Sequence, residues 1–133
     1  MRYRSRPARR PWLGGGLLDN GLVAYDEHLA ERVRELVAVH AGLTEQRMFG
    51  GLAFLIGGHM SVSVSGGGGL LVRVDPEQTQ ALLAEPHARP MVMRGREMEG
   101  WLRVDAEGVR DKRGLEKWVR RGVAYAQSLP SKS

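Results

Sequence analysis

No cysteine occurs among the 133 residues, which excludes disulfides, thiolate nucleophiles and cysteine-based zinc sites together. A chain without cysteine fits the cytoplasm, which is the expected location. No apolar run approaches the roughly 18 residues of a membrane-spanning helix, so no membrane partner is expected. The Gly-Lys pair is missing as well, and with it the Walker loop, whose lysine must follow the phosphate-cradling turn. The four histidines, His28, His40, His59 and His87, form neither an HxH nor an HxxxH pair, and no metal site is expected from them. Lysine is scarce, 3 against 17 arginines, which is the usage of a GC-rich bacterial genome.

What remains is enough for one domain and too little for two. An apolar fraction of 42% suits a packed core. The net charge of +5 is unevenly held. Residues 1–22 carry Arg2, Arg4, Arg6, Arg9 and Arg10 against Asp19 alone, leaving 15 basic and 14 acidic side chains for everything after them. This segment has neither helical nor strand period and contains Gly14, Gly15 and Gly16, so it reads as a disordered basic extension. Arg9-Arg10 ahead of Pro11-Trp12-Leu13 has the outline of a twin-arginine export signal, but Asp19 and Asn20 interrupt the apolar stretch. Two readings are left. The arginines contact nucleic acid, or the segment is upstream sequence and the protein starts at Val23, where the composition changes.

The domain runs from Val23 to Pro130, with residues 131–133 as a tail. Asp26 caps a helix that carries Leu29, Val33, Leu36, Val37 and His40 on one face and stops by Gly42. Short β-like runs follow: Glu45 to Phe49, then the wholly apolar Leu52 to Ile56. Met60, Val62 and Val64 alternate with Ser61, Ser63 and Ser65, which predicts a strand with one wet face. Leu70, Val72 and Val74 alternate again, and Gly57-Gly58 and the Gly66 to Gly69 run supply turns. Asp75-Pro76 opens a short helix that Pro86 ends, and strands are expected around Met91 to Met93 and from Gly100 to Val104. Leu115, Trp118, Val119, Gly122, Val123 and Ala126 make the apolar stripe of a last helix, closed by Pro130. The fold class is therefore α+β: an antiparallel meander of five to six strands, packed with an N-terminal helix, a C-terminal helix and one short helix.

Few side chains combine into chemistry. The glycine run at 66–69 opens a strand, whereas a dinucleotide fingerprint must open a helix. Ser61, Ser63 and Ser65 lack the elbow that exposes a nucleophile. Glu97 and Glu99 could do acid–base work, but Arg94, Arg96 and Arg103 nearby predict solvated ion pairs instead. No catalytic residue and no cofactor is expected. One cluster stands apart, Arg47-Met48-Phe49-Gly50-Gly51. It sets a cation and bulky apolar groups beside bare backbone, which suits a small recognition surface; a core Phe49 followed by a glycine bulge is the structural alternative.

At that cluster the chain resembles the N-terminal domain of the TfoX/Sxy competence regulators. Val23-Ala24-Tyr25-Asp26, Leu29-Ala30-Glu31-Arg32-Val33 and Arg47-Met48-Phe49-Gly50-Gly51-Leu52-Ala53-Phe54 carry the likeness. Val72-Arg73-Val74, Arg89-Pro90-Met91, Gly95-Arg96, Met98, Gly100-Trp101 and Trp118-Val119 extend it nearly to Pro130. The resemblance implies a small α+β fold without catalysis, in a family that regulates natural-transformation genes alongside the cyclic-AMP receptor protein. It also implies a start near Val23 and a single-domain member, since the helical second domain of full-length members is not found before Ser133.

Three functions follow as expectations. The first is a non-enzymatic regulatory module that binds an unidentified protein around Arg47, Met48, Phe49, Gly50 and Gly51, in the setting of transcription. The second is nucleic-acid binding through Arg2, Arg4, Arg6, Arg9 and Arg10. The third is a small-molecule enzyme near Glu97 and Glu99. The oligomeric state is open.

Overall fold

The backbone N–H groups of His28 and Leu29 donate to the Asp26 carboxylate at 2.9 and 3.1 Å, and this cap starts α1, Glu27–Val37. Leu29, Ala30, Val33 and Val37 form its buried stripe. The computed structural model describes residues 25–48, 50–66 and 68–132.

After α1 come four strands in succession: β1, Leu43–Met48; β2, Gly51–Ile56; β3, His59–Val64; and β4, Leu70–Arg73. Each pairs antiparallel with the next. The wholly apolar β2 is buried along nearly its whole length, as a strand flanked on both sides must be. Asp75 and Pro76 then open a 3-10 turn leading into the short α2, Thr79–Leu82. Strands β5, Ala88–Met93, and β6, Arg96–Val104, are both longer than the sequence pattern indicates. The sheet order is β1-β2-β3-β4-β6-β5. The meander thus ends at β4: β5 passes to the far edge and β6 returns to pair with β4.

One face of this sheet is covered. Phe54, Val62, Val64, Leu70, Val72, Leu102 and Val104 meet the buried sides of α1 and of α3, Lys112–Ser128. The buried residues of α3 are the six of its sequence stripe, Leu115, Trp118, Val119, Gly122, Val123 and Ala126. Trp118 is the largest fully buried side chain in the domain. Among the described residues, no helix is long and apolar enough to cross a membrane.

A surface clamp ties α3 to the segment after α2. Lys117 and Arg121, one turn apart, both reach Glu85, at 2.9 and 2.7 Å, and the Arg121 guanidinium lies 4.7 Å from the Trp118 ring centre. Chiefly through the Arg121 hydrogen bond, and then that of Lys117, the Glu85 carboxyl is held below its ordinary range. A carboxyl lowered on folding stabilises fully above its ordinary pKa, about 4.3, and loses that contribution as pH falls through the lower folded value. Glu85→Gln is therefore expected to lower the urea midpoint at pH 7 and to leave it nearly unchanged at pH 3. An equal loss at both pH values would show that the clamp is not ionic.

Candidate functional site

Among the described residues no helix packs on the second face of the sheet, and its side chains surround a concavity of about 390 Å³. Met48, Met60, Met91, Met93 and Met98 line it, with Leu71, Trp101, Gly51, Ser63, Ser65, Gly66 and Arg103. Five of the chain's six methionines therefore converge from β1, β3, β5 and β6. The sixth, Met1, lies outside the described residues. Ala53, Met60 and Leu71 form the buried floor. Met93 and Met98 stay 39% and 37% exposed, so the apolar lining continues out along the β5–β6 ribbon and the site is an open groove.

Two irregularities aim these side chains. In β3 the register jumps from Phe54 opposite Val62 to Leu55 opposite Met60, leaving Ser61 as the extra residue of a β-bulge. The Ser61 hydroxyl donates to the Phe54 carbonyl at 2.8 Å. The bulge rephases the strand, so Met60 sits on the groove face although it reads in phase with the core residues Val62 and Val64. In β6 the residues Met98 to Trp101 bow out opposite Met91. Gly100, at φ +90°, donates its N–H to the buried Thr79 hydroxyl at 2.8 Å and accepts from Val74 N–H at 2.9 Å. Three residues apart on a regular strand, Met98 and Trp101 would face opposite ways; the bow brings both into the groove.

The expected wet face of β3 is not wet. Ser61, Ser63 and Ser65 are 0%, 5% and 9% exposed. Strand β3 lies between β2 and β4, and the bulkier side chains around the groove overtop its small ones.

Of the Arg-Met-Phe-Gly-Gly cluster, Arg47 and Met48 end β1 and Gly51 opens β2, and Arg47 and Met48 alternate to opposite faces of the sheet. Met48 pairs with Gly51 across the turn, and Gly50 holds φ +75°, so Gly50-Gly51 forms no bulge. Met48 and Gly51 line the groove. A Cβ on Gly51 would lie 2.3 Å from the Val64 carbonyl oxygen, so glycine permits close pairing there. Arg47 is exposed and pairs with Leu52, whose side chain belongs to the helix-covered core. Its neighbour by alternation, Glu45, is held by Arg34 of α1 at 2.6 Å. Phe49 lies outside the described residues, as do Arg2, Arg4, Arg6, Arg9 and Arg10 and the proposed start at Val23.

The expected ion pairs of Glu97 and Glu99 do not form: among the described residues, neither they nor Arg94, Arg96 and Arg103 belong to a salt bridge. The reason is the ribbon's geometry. Glu97 pairs with Val92, whereas Arg96 pairs with Met93 and Arg103 with Arg89 and Leu71. Arg94 takes the left-handed position of the β5–β6 turn at φ +54°, with Gly95 at +76°. Asparagine or glycine fits that position better, and an arginine there costs about 1 kcal/mol. Among the described residues, no three His, Asp or Glu side chains gather where a metal ion could sit.

No signal in the sequence marked the methionines as a set. No curated protein matches the chain. The family model for the TfoX N-terminal domain matches residues 35–126, from inside α1 to the end of the α3 stripe. The buried Leu29, Ala30 and Val33 of α1 precede the match, so the folded unit extends back to the Asp26 cap. On that match, which spans most of its length, the chain belongs to the TfoX N-terminal domain family.

Proposed function

We propose that this domain is a non-catalytic regulatory module, of the kind that serves transcription control, and that it acts by docking a protein segment in the methionine groove. The convergence of five methionines on one open concavity carries this reading. Methionine is unbranched, polarisable and adaptable, and it is favoured where a surface must mould itself to another chain. A groove lined by apolar side chains with few polar groups suits binding, and its polar residues, two serines and an arginine, do not assemble a nucleophile with a base. Membership of the TfoX N-terminal family supports a regulatory setting.

The test uses the half-exposed rim, where substitution leaves the core intact. Met93→Asp with Met98→Asp is expected to cut recovery of the partner from the host's lysate at least about tenfold, since each change places a charge where apolar surface must be buried. Arg47→Ala, outside the groove, is the matched control. Recovery that survives the double substitution but falls with Arg47→Ala would move the docking surface to the other face of the hairpin.

A further inference from the structure

The groove's polar surroundings are one-sided. Among the described residues no aspartate or glutamate lines it, and its lining includes Arg103. Three further arginines share its face by register: Arg96 directly opposite Met93, Arg73 directly opposite Trp101, and Arg89 directly opposite Arg103, of which Arg89 reaches Asp105 at 3.3 Å. The Arg73 guanidinium is held between two rings, 5.0 Å from the centre of Trp101 in the groove lining and 5.5 Å from that of Tyr125 in α3, so its charge is fixed beside Trp101 where the sheet meets α3. Among the described residues, Arg73, Arg96 and Arg103 have no carboxylate within ion-pair distance. Glu31 and Glu45 are engaged with Arg34 at α1, and Glu85 with Lys117 and Arg121 at α3. Glu97 and Glu99 stay unpaired on β6 among the described residues, and Glu97, opposite Val92, alternates to the other side from Met93 and Arg96. A chain whose charge is almost balanced after residue 22 thus leaves unpaired cations beside this open apolar trough.

From this charge pattern we infer that the groove's occupant is an amphipathic helix whose apolar face is flanked by acidic side chains. The inference rests on the docking reading above. An apolar trough takes the apolar stripe of a helix, about 10 Å across, and the stripe's flanks then fall beside the rim. Carboxylates at those flanks complete the pairs that Arg73, Arg96 and Arg103 lack, whereas lysines there meet like charge. Single-stranded nucleic acid would also meet these arginines, but it needs stacking platforms, and among the described residues Trp101 is the one aromatic in the lining.

Two labelled peptides of about 18 residues test this, sharing one Leu/Phe face and differing in flanks, glutamate in one and lysine in the other. Fluorescence anisotropy with the full-length protein at low salt is expected to show the glutamate peptide binding at least about tenfold tighter, as several rim pairs together allow. The preference should shrink with added salt and invert with Arg96→Glu plus Arg103→Glu. Equal affinity for both peptides, each lost with Met93→Asp/Met98→Asp, would overturn the acidic-partner inference and leave the docking groove standing. Binding of neither peptide would overturn the inference together with the reading beneath it. Displacement of the glutamate peptide by an oligothymidylate would assign the arginines to nucleic acid and overturn the inference too.

Discussion

Trp118→Ala is expected to destabilise the domain by about 3–5 kcal/mol, the cost of emptying a buried indole site that its surroundings cannot refill. The side chain is 1% exposed and lies in the main core between α3 and the sheet. It also carries the clamp, because Arg121 and Lys117 lie against its ring while both reach Glu85. Removing the ring therefore opens a cavity and frees two cations from their support. A loss of that size consumes much of a stability that is typically only 5–15 kcal/mol. Urea unfolding followed by circular dichroism measures it, and Trp118→Phe should recover a large part. A loss under about 1 kcal/mol would mean that α3 is held by its other five buried residues.

The second large effect carries a sign opposite to the usual rule. In a helix interior, glycine to alanine normally stabilises by about 1 kcal/mol. Gly122→Ala is expected instead to destabilise by roughly 1–3 kcal/mol. Its Cβ would stand 2.4 Å from the Ser61 carbonyl oxygen and 2.8 Å from Val62 Cγ1. The contact is with backbone in an inner strand, and Ser61 is tied to Phe54 by its own hydroxyl, so the sheet cannot yield cheaply. Either α3 lifts or the bulge flattens. Flattening would turn Met60 away from the groove, so weaker peptide binding should accompany the lower urea midpoint. A midpoint that rises would show that the helix stands farther from Ser61 than 2.4 Å implies.

These two residues mark what a sequence reading reaches. The α3 stripe is legible because its 3.6-residue period holds over 17 residues and its buried positions follow that period alone. The Asp26 and Asp75 caps are legible for a similar reason: a capping carboxylate works within three residues of itself. The groove is not local in this sense. Met48, Met60, Met91, Met93 and Met98 meet through a strand order that no single window contains. Two irregularities then break the alternation that strand reading relies on. The Ser61 bulge takes Met60 out of phase with Val62, and the bow at Gly100 puts Met98 and Trp101 on one side. The Arg47 to Gly51 cluster drew attention as a continuous motif, yet its described members in the groove lining, Met48 and Gly51, are three residues apart.

The placement of β6 between β4 and β5 also governs how the chain can be built. During synthesis the meander from β1 to β4 emerges first, with the free edge of Leu70–Arg73 bearing unpaired backbone groups between apolar side chains. Its permanent neighbour, Trp101 to Val104, arrives some thirty residues later. Until then the nascent sheet presents a sticky border, and any second copy of the same segment competes for it. Expression speed and chaperone supply, rather than final stability, should therefore set how much of this protein is recovered folded.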